Sequence, residues 1–156
     1  MFAVPENTVL SDARVAPQQP TKILREVVAD RAGWAHLLRY DPVERWTALV
    51  QSTPTYEVWL MSWLPGQGAE LHDHGGAEGA FTVVHGVLTE LVGRPGHAGQ
   101  ALHVLHAGQS RVFGPHYVHQ MRNEGDDPAV SIHVFGPTRQ QMTPYRFDPV
   151  AGPVTA

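Results

Sequence analysis

The feature that most constrains the fold is a series of short apolar runs separated by turn residues across the middle of the chain. The runs are rich in valine, leucine and aromatic residues, which suit β-strands, and proline or glycine separates them. Seven or more short strands at this spacing predict an all-β, single-domain antiparallel barrel or jelly roll. The predicted strands are Trp46–Gln51, Tyr56–Trp63, Ala80–His85, Val87–Val92, Leu102–Leu105, Arg111–Phe113 and Ala129–Phe135.

The residues before the strands predict one or two helices that would cover the barrel. From Thr21, a good N-cap, apolar residues recur at helical spacing up to a stop at Gly33. Trp34, Leu37 and Leu38 suggest a second short helix that ends near Asp41-Pro42, because the residue before a proline disfavours helix. Both ends of the chain are rich in proline. The predicted organisation is therefore an arm over residues 1–20, a folded domain over 21–142 and a surface tail over 143–156.

Composition limits the classes of partner. The chain of 156 residues is 42% hydrophobic and 17% charged, with a net charge of −4, so it is typical of a globular protein without a basic surface for nucleic acid. It has no membrane-length apolar run and no cysteine for disulfides or thiolate ligands, and we expect no export signal because residues 1–20 lack a basic start and an apolar core. We expect a cytoplasmic enzyme acting on a small molecule, as a monomer or homodimer.

A His-x-His pair, His72 and His74, stands between two predicted strands, after a Pro-Gly and before a Gly-Gly. Side chains alternate along an extended chain, so both imidazoles point the same way, with about 6–7 Å between their Cα atoms. Two such imidazoles can bind one ion of Fe, Zn, Cu or Ni. Antiparallel hairpins would bring a third candidate, His119, beside the pair.

These two histidine segments resemble the two motifs of the cupin fold. The histidine-x-x-x-asparagine spacing of the second motif selects His119 over His116. The resemblance implies a single-domain cupin, with the predicted helices outside a small β-barrel. The matching positions are Gly66, His72, His74, Glu78 and Gly86 in the first motif and, more loosely, Gly108, Pro115, His119 and Asn123 in the second.

Within the cupins, the chain is similar to the cysteine dioxygenase group of thiol dioxygenases over about residues 43–137. The resemblance implies Fe(II) held by His72, His74 and His119. It also implies transfer of both atoms of O2 to the sulfur of a small thiol, which gives a sulfinic acid. The shared features are His72-Asp73-His74, an aromatic residue at Phe81, His119, and Ser131-Ile132-His133 before Gly136-Pro137.

Glu78 leaves the class of metal site open. In many cupins a glutamate at this position is a fourth ligand, which suits Mn, Fe or Ni, whereas thiol dioxygenases have three histidines only. We favour three histidines, with Glu78 in the pocket wall. The alternatives are a cupin enzyme with Glu78 as ligand and a non-catalytic cupin that binds a small molecule. The family's crosslinking position falls on Gly79, so no cysteine–tyrosine cofactor can form.

One departure from the family concerns the residues around the iron. The family's serine–histidine–tyrosine chain becomes Ser131, His133 and Phe135, so the terminal hydroxyl is missing. These three residues share one strand face, which should line the cavity. Tyr117 alternates in register with His119 and is a candidate to replace the hydroxyl. Ser131, His133 and Tyr117 are therefore the predicted catalytic residues.

The other departure concerns the substrate. Cysteine and mercaptopropionate dioxygenases hold the substrate carboxylate with an arginine from an early strand, and Leu49 stands at that position here. Arg45 is the candidate substitute, with Glu78, Phe135 and Trp63 as further pocket residues. Cysteine, 3-mercaptopropionate and ergothioneine are candidate substrates, since an aromatic and acidic pocket would suit the trimethylammonium group of ergothioneine.

Overall fold

The computed structural model describes residues 19–136 and 142–156. Within these residues, eleven strands form two antiparallel sheets. The strands are β1 Trp46–Ser52, β2 Glu57–Trp63, β3 His72–Asp73, β4 Glu78–His85, β5 Val87–Gly93, β6 Gln100–His106, β7 Ser110–Phe113, β8 Val118–Arg122, β9 Ala129–Gly136, β10 Thr143–Asp148 and β11 Gly152–Thr155.

The two sheets face each other and enclose an apolar interior. One has five strands in the order β1-β2-β9-β4-β7, and the other has six in the order β11-β10-β3-β8-β5-β6. The predicted all-β barrel is therefore confirmed. The strands β3 and β8, which carry the histidine motifs, were not among the predicted strands. Both sheets contribute to the interior cluster, which includes Met61, Trp63, Phe81, Leu88, Phe113, Met121 and Phe135.

The N-terminal helix α1 spans Pro20–Ala29, and the short 3-10 turns Arg31–Gly33 and Ala35–Leu37 follow it. The helix begins one residue before the predicted N-cap, Thr21. Gln19 takes the N-cap position, and proline suits the first helical turn because its missing N–H has no partner there. The second predicted helix is only a 3-10 turn. None of the helices in the described ranges is long and apolar enough to cross a membrane.

Helix α1 packs on the outer face of the five-stranded sheet. Ile23 and Leu24 are buried there against Val58 and Ile132. Because side chains alternate along each strand, the other face of this sheet points toward the six-stranded sheet. In the strands of this sheet, alternate side chains pack against helix α1 and inside the barrel. Only the side chains on the inner face can reach an internal site.

The C-terminal residues differ from the predicted surface tail. Residues 143–155 form the β10–β11 hairpin, and β10 pairs with β3 through Thr143 opposite Asp73 and Pro144 opposite His72. The backbone N–H of Tyr145 also donates to the carbonyl of Leu71 at 2.8 Å. The hairpin is thus part of the sheet that carries the histidines. The predicted arm lies outside the described residues, except for its last two residues.

Candidate metal centre

Three buried histidines meet inside the barrel. His72 lies on β3, His74 follows that strand directly, and His119 lies on β8 in register with His72. One ring nitrogen from each can be chosen so that all three lie within 4.8 Å of one another. Asp73, between the two motif histidines, instead accepts a hydrogen bond from Tyr145. The structure therefore brings together the three predicted ligands.

The geometry of the ring nitrogens fits a single metal ion. The Nε2 atoms of His74 and His119 are 3.3 Å apart. If each lay about 2.0–2.1 Å from a shared ion, the angle at the ion would be about 105°. The Nδ1 atom of His72 donates to the carbonyl of Glu70, and that of His119 donates to Glu90. These bonds assign the protons to Nδ1 and leave the Nε2 lone pairs available for an ion.

A narrow cavity lies against the three histidines. The volume open to the centre of a water-sized molecule is about 20 Å³, which is close to what one ordered water needs. The exposed surface of its walls is largely apolar. The lining residues are Arg45, Met61, Trp63, Ala69, His72, His74, His119, Met121, His133, Phe135 and Met142.

Arg45 brings a positive charge to this cavity. Its guanidinium carbon lies 5.1 Å from the ring centroid of Trp63, and its Nη1 donates to the sulfur of Met61 at 2.9 Å. Leu49, at the position of the family's arginine, is 45% exposed and does not line the cavity. The structure thus places both Arg45 and Trp63 in the lining of the cavity beside the three histidines.

Of the three predicted β9 residues, His133 and Phe135 line the cavity, whereas Ser131 is not among its lining residues. The Ser131 Oγ and His133 Nε2 atoms are 2.7 Å apart and share a hydrogen bond. The indole N–H of Trp63 donates to Ser131 at 2.9 Å. Phe135 packs on His74, with 4.6 Å between ring centroids. The hydrogen-bonded chain therefore runs from Trp63 through Ser131 to His133. The next residue on this strand face is Phe135, which has no hydroxyl to extend the chain.

Glu78 is not brought to the cavity, which corrects its predicted placement. It begins β4 and shares a strand face with Ala80, which packs in the outer cluster beside helix α1. Phe81, on the alternate face, lies in the interior. Among the described residues, the group that can hold a metal consists of the three histidines alone. This placement argues against Glu78 as a fourth ligand.

Tyr117 also lies outside the cavity lining. Its ring packs edge-on against His119, with 5.1 Å between centroids, and its hydroxyl donates to Glu90 Oε2 at 2.9 Å. Burial and the nearby charge of Glu90 raise the pKa of the Tyr117 hydroxyl, so it stays protonated. Tyr117 therefore does not replace the missing hydroxyl beside His133. Tyr117 instead contacts His119, one of the three histidines, outside the cavity lining.

Sequence reasoning missed Glu90, the acceptor behind His119. Glu90 lies on β5, is 0% exposed and accepts hydrogen bonds from His119 Nδ1 at 2.8 Å and Arg111 Nε at 3.1 Å. Burial alone would raise the pKa of this carboxyl, but the bonds from His119 and Tyr117 and the charge of Arg111 hold it below its ordinary value. An ionised carboxylate therefore lies behind the site.

A two-sheet antiparallel barrel with three inward-facing histidines defines the class of this protein as a cupin with a candidate metal site. The particular family follows from a family model described as cysteine dioxygenase type I, which matches residues 7–148. The chain belongs to this family. Membership implies a dioxygenase, and the three histidines support metal binding. No curated protein matches the chain.

Solved structures agree with the cupin fold. The protein TT1209 from Thermus thermophilus is 29% identical, with a TM-score of 0.54, over 67% of this chain and 93% of that chain. A Klebsiella pneumoniae protein with a double-stranded β-helix domain is 24% identical, with a TM-score of 0.58, over 70% and 91%. An oxalate oxidase in complex with glycolate is 18% identical, with a TM-score of 0.53, over 62% and 53%. The last two likenesses show the fold alone.

Proposed function

We propose that this protein is an Fe(II)-dependent thiol dioxygenase that converts a small thiol and O2 into the corresponding sulfinic acid. The observation that carries the proposal is the buried set of His72, His74 and His119 without a carboxylate ligand among the described residues. Family membership supports the same reaction class. Iron held by three neutral imidazoles would keep its full charge, favour a bound thiolate and leave positions for substrate and oxygen.

The cavity favours a compact thiol that carries a carboxylate. Arg45 supplies a planar cation with several N–H donors, which suits a carboxylate. Glu78 faces away from the cavity, and none of the described lining residues is acidic, so a trimethylammonium group would find no carboxylate partner. 3-Mercaptopropionate and cysteine are therefore the preferred candidates.

The remaining cavity residues would orient the reactants and exclude water. Trp63 fixes Ser131, which in turn fixes His133 through the 2.7 Å hydrogen bond. His133 is therefore held on the cavity wall where it can donate to or accept from a bound reactant. Met61 and Phe135 supply apolar wall, which strengthens the electrostatic interactions inside the cavity by keeping water out.

The test is oxygen uptake by the Fe(II)-loaded protein with cysteine, 3-mercaptopropionate, cysteamine and ergothioneine, combined with mass spectrometry of the products. We expect one carboxylate-bearing small thiol to gain two oxygen atoms per molecule, with one O2 consumed for each product. A protein with demonstrated bound iron that oxidises no thiol in this panel would contradict the proposal. Uptake without a sulfinic acid product would contradict it as well.

A further inference from the structure

We propose that Glu90 is a positioning residue of the metal centre, and that Arg111 sets how strongly its charge acts on the metal. Glu90 would fix the orientation of His119 and place a negative charge behind this ligand, while Arg111 would offset part of that charge from the opposite side. This inference rests on the proposed metal-dependent function and concerns the same site. It assigns a role to two residues that do not touch the substrate cavity.

Burial of the Glu90 carboxylate costs free energy, which its hydrogen bonds and the charge of Arg111 must offset. Transfer of a carboxylate out of water costs several kcal/mol, even after the surroundings relax. Glu90 lies on the same inward face of β5 as Leu88, and both side chains are 0% exposed. A second leucine there would continue the apolar interior. The carboxylate instead has a hydrogen-bonding partner on each oxygen, which is the arrangement expected of a group kept for its charge.

Glu90 contacts the nitrogen of His119 that a metal ion bound at Nε2 would leave free. Glu90 Oε2 lies 2.8 Å from His119 Nδ1, while His119 Nε2 lies 3.3 Å from His74 Nε2. A carboxylate that accepts from one imidazole nitrogen fixes the tautomer and makes the other nitrogen a stronger donor to a metal. His72 differs, because its Nδ1 donates to the neutral carbonyl of Glu70.

Arg111 acts on the other oxygen of the same carboxylate. Its Nε lies 3.1 Å from Glu90 Oε1, its Nη2 lies 3.1 Å from His103 Nε2, and its side chain is 28% exposed. The positive charge of Arg111 partly neutralises the Glu90 carboxylate at the oxygen that does not contact His119. Loss of the Glu90 charge should therefore weaken metal binding, whereas loss of the Arg111 charge should strengthen it. If the pair served only to hold the barrel together, both losses would weaken binding in the same direction.

The experiment compares the Co(II) affinity of the wild-type protein with that of Glu90→Gln and Arg111→Gln. A matched control is Glu78→Gln, which removes a carboxylate from the outer face of β4. Affinity is measured by competition with a chelator, and the Co(II) absorption spectrum reports the ligand geometry. We expect Glu90→Gln to bind Co(II) about 10- to 100-fold more weakly with an altered spectrum. Arg111→Gln should bind a few-fold more tightly, and Glu78→Gln should match the wild type.

Two results would overturn the inference. One is a Glu90→Gln protein that binds Co(II) within about twofold of the wild type with the same spectrum. The other is weakened binding by Arg111→Gln, which also decides the matter if Glu90→Gln fails to fold, because Arg111 is partly exposed. The outcome is separable from the proposed function. A wild-type protein that binds Co(II) but oxidises no thiol with Fe(II) contradicts the dioxygenase and leaves the affinity comparison intact.

Discussion

Arg45 lines the cavity, and under the proposed function it is the side chain that would select the charge of a substrate. We predict that Arg45→Leu raises the KM for 3-mercaptopropionate or cysteine about 10- to 100-fold, because a charge-assisted hydrogen bond contributes about 1.5–3 kcal/mol. The effect on kcat should be smaller, since the carboxylate is bound in both the ground state and the transition state. Steady-state oxygen uptake over a range of thiol concentrations measures both constants.

Two controls separate charge recognition from general damage by this substitution. Cysteamine lacks a carboxylate, so its turnover, if detectable, should change little in Arg45→Leu. Arg94→Leu removes an arginine from an exposed loop and should leave every substrate unaffected. An equal loss of activity toward cysteamine and 3-mercaptopropionate would contradict a carboxylate-binding role for Arg45.

Single residues also show how far sequence reasoning reaches. His72 and His74 were identified because strand alternation alone places both on one face, and the cupin spacing then selected His119. Glu90 was missed because a lone acidic residue in an apolar strand can equally face solvent. The available signal was that Glu90 lies two residues after Leu88 and so shares its strand face. Which face of β5 points inward depends on its pairing with β8, and the sequence alone does not show this pairing.

At the scale of elements, the β10–β11 hairpin pairs with the short strand β3, which begins at His72 and ends directly before His74. β3 has only two residues, and β10 pairs along it while the Tyr145 hydroxyl donates to Asp73 Oδ2 at 2.8 Å. Asp73 is buried, and its other oxygen accepts from the backbone N–H of Gly75. Asp73 thus links the hairpin to the backbone on both sides of His74.

We predict that Tyr145→Phe lowers both stability and metal affinity. Loss of one hydrogen bond to a buried carboxylate should cost about 1 kcal/mol, which corresponds to a fall in Tm of about 2–4 °C for a domain of this size. Metal affinity should fall by several-fold, because the hydroxyl holds Asp73 between the two histidines. Thermal unfolding of the metal-free protein and chelator competition with Co(II) measure the two effects separately.

The matched control is Tyr56→Phe, which removes a hydroxyl that accepts from Gln51 near the end of β1, away from the cavity-lining residues. This variant should retain the metal affinity of the wild type, whatever its Tm. If Tyr145→Phe also bound metal as tightly as the wild type, the hairpin would be a structural addition without influence on the centre.

The sequence suggested a tail here because three prolines stand in its last fourteen residues. The structure accommodates two of them at positions that lose little, while Pro144 lies on β10 opposite His72, between β11 and β3. Pro149 lies in the turn of the hairpin, and Pro153 lies on β11, the edge strand of the six-stranded sheet. Proline is tolerated at such edges because the missing N–H need not pair with a neighbour. The alternation of Tyr145 and Phe147 was a strand signal that the prolines obscured.

At the scale of the whole molecule, the three histidines come together only when the barrel is closed. His72 and His74 come from the β3 region and His119 from β8, and the cavity wall opposite them comes from β2 and β9 of the other sheet. The unfolded chain does not hold His119 beside the His72 and His74 pair, so a metal should bind the native state in preference. Binding and folding are therefore linked, and metal should raise the unfolding temperature.

We predict that a metal ion at about 100 times its dissociation constant stabilises the protein by about 2.7 kcal/mol, which corresponds to a rise in Tm of about 5–10 °C. Addition of EDTA should reverse the rise. His74→Asn should abolish it, whereas His97→Asn, which alters an exposed loop histidine, should retain it. Differential scanning calorimetry with and without Co(II) measures the shift. An equal rise in Tm for wild type and His74→Asn would mean that the stabilising ion binds elsewhere and that the three histidines are not the metal centre.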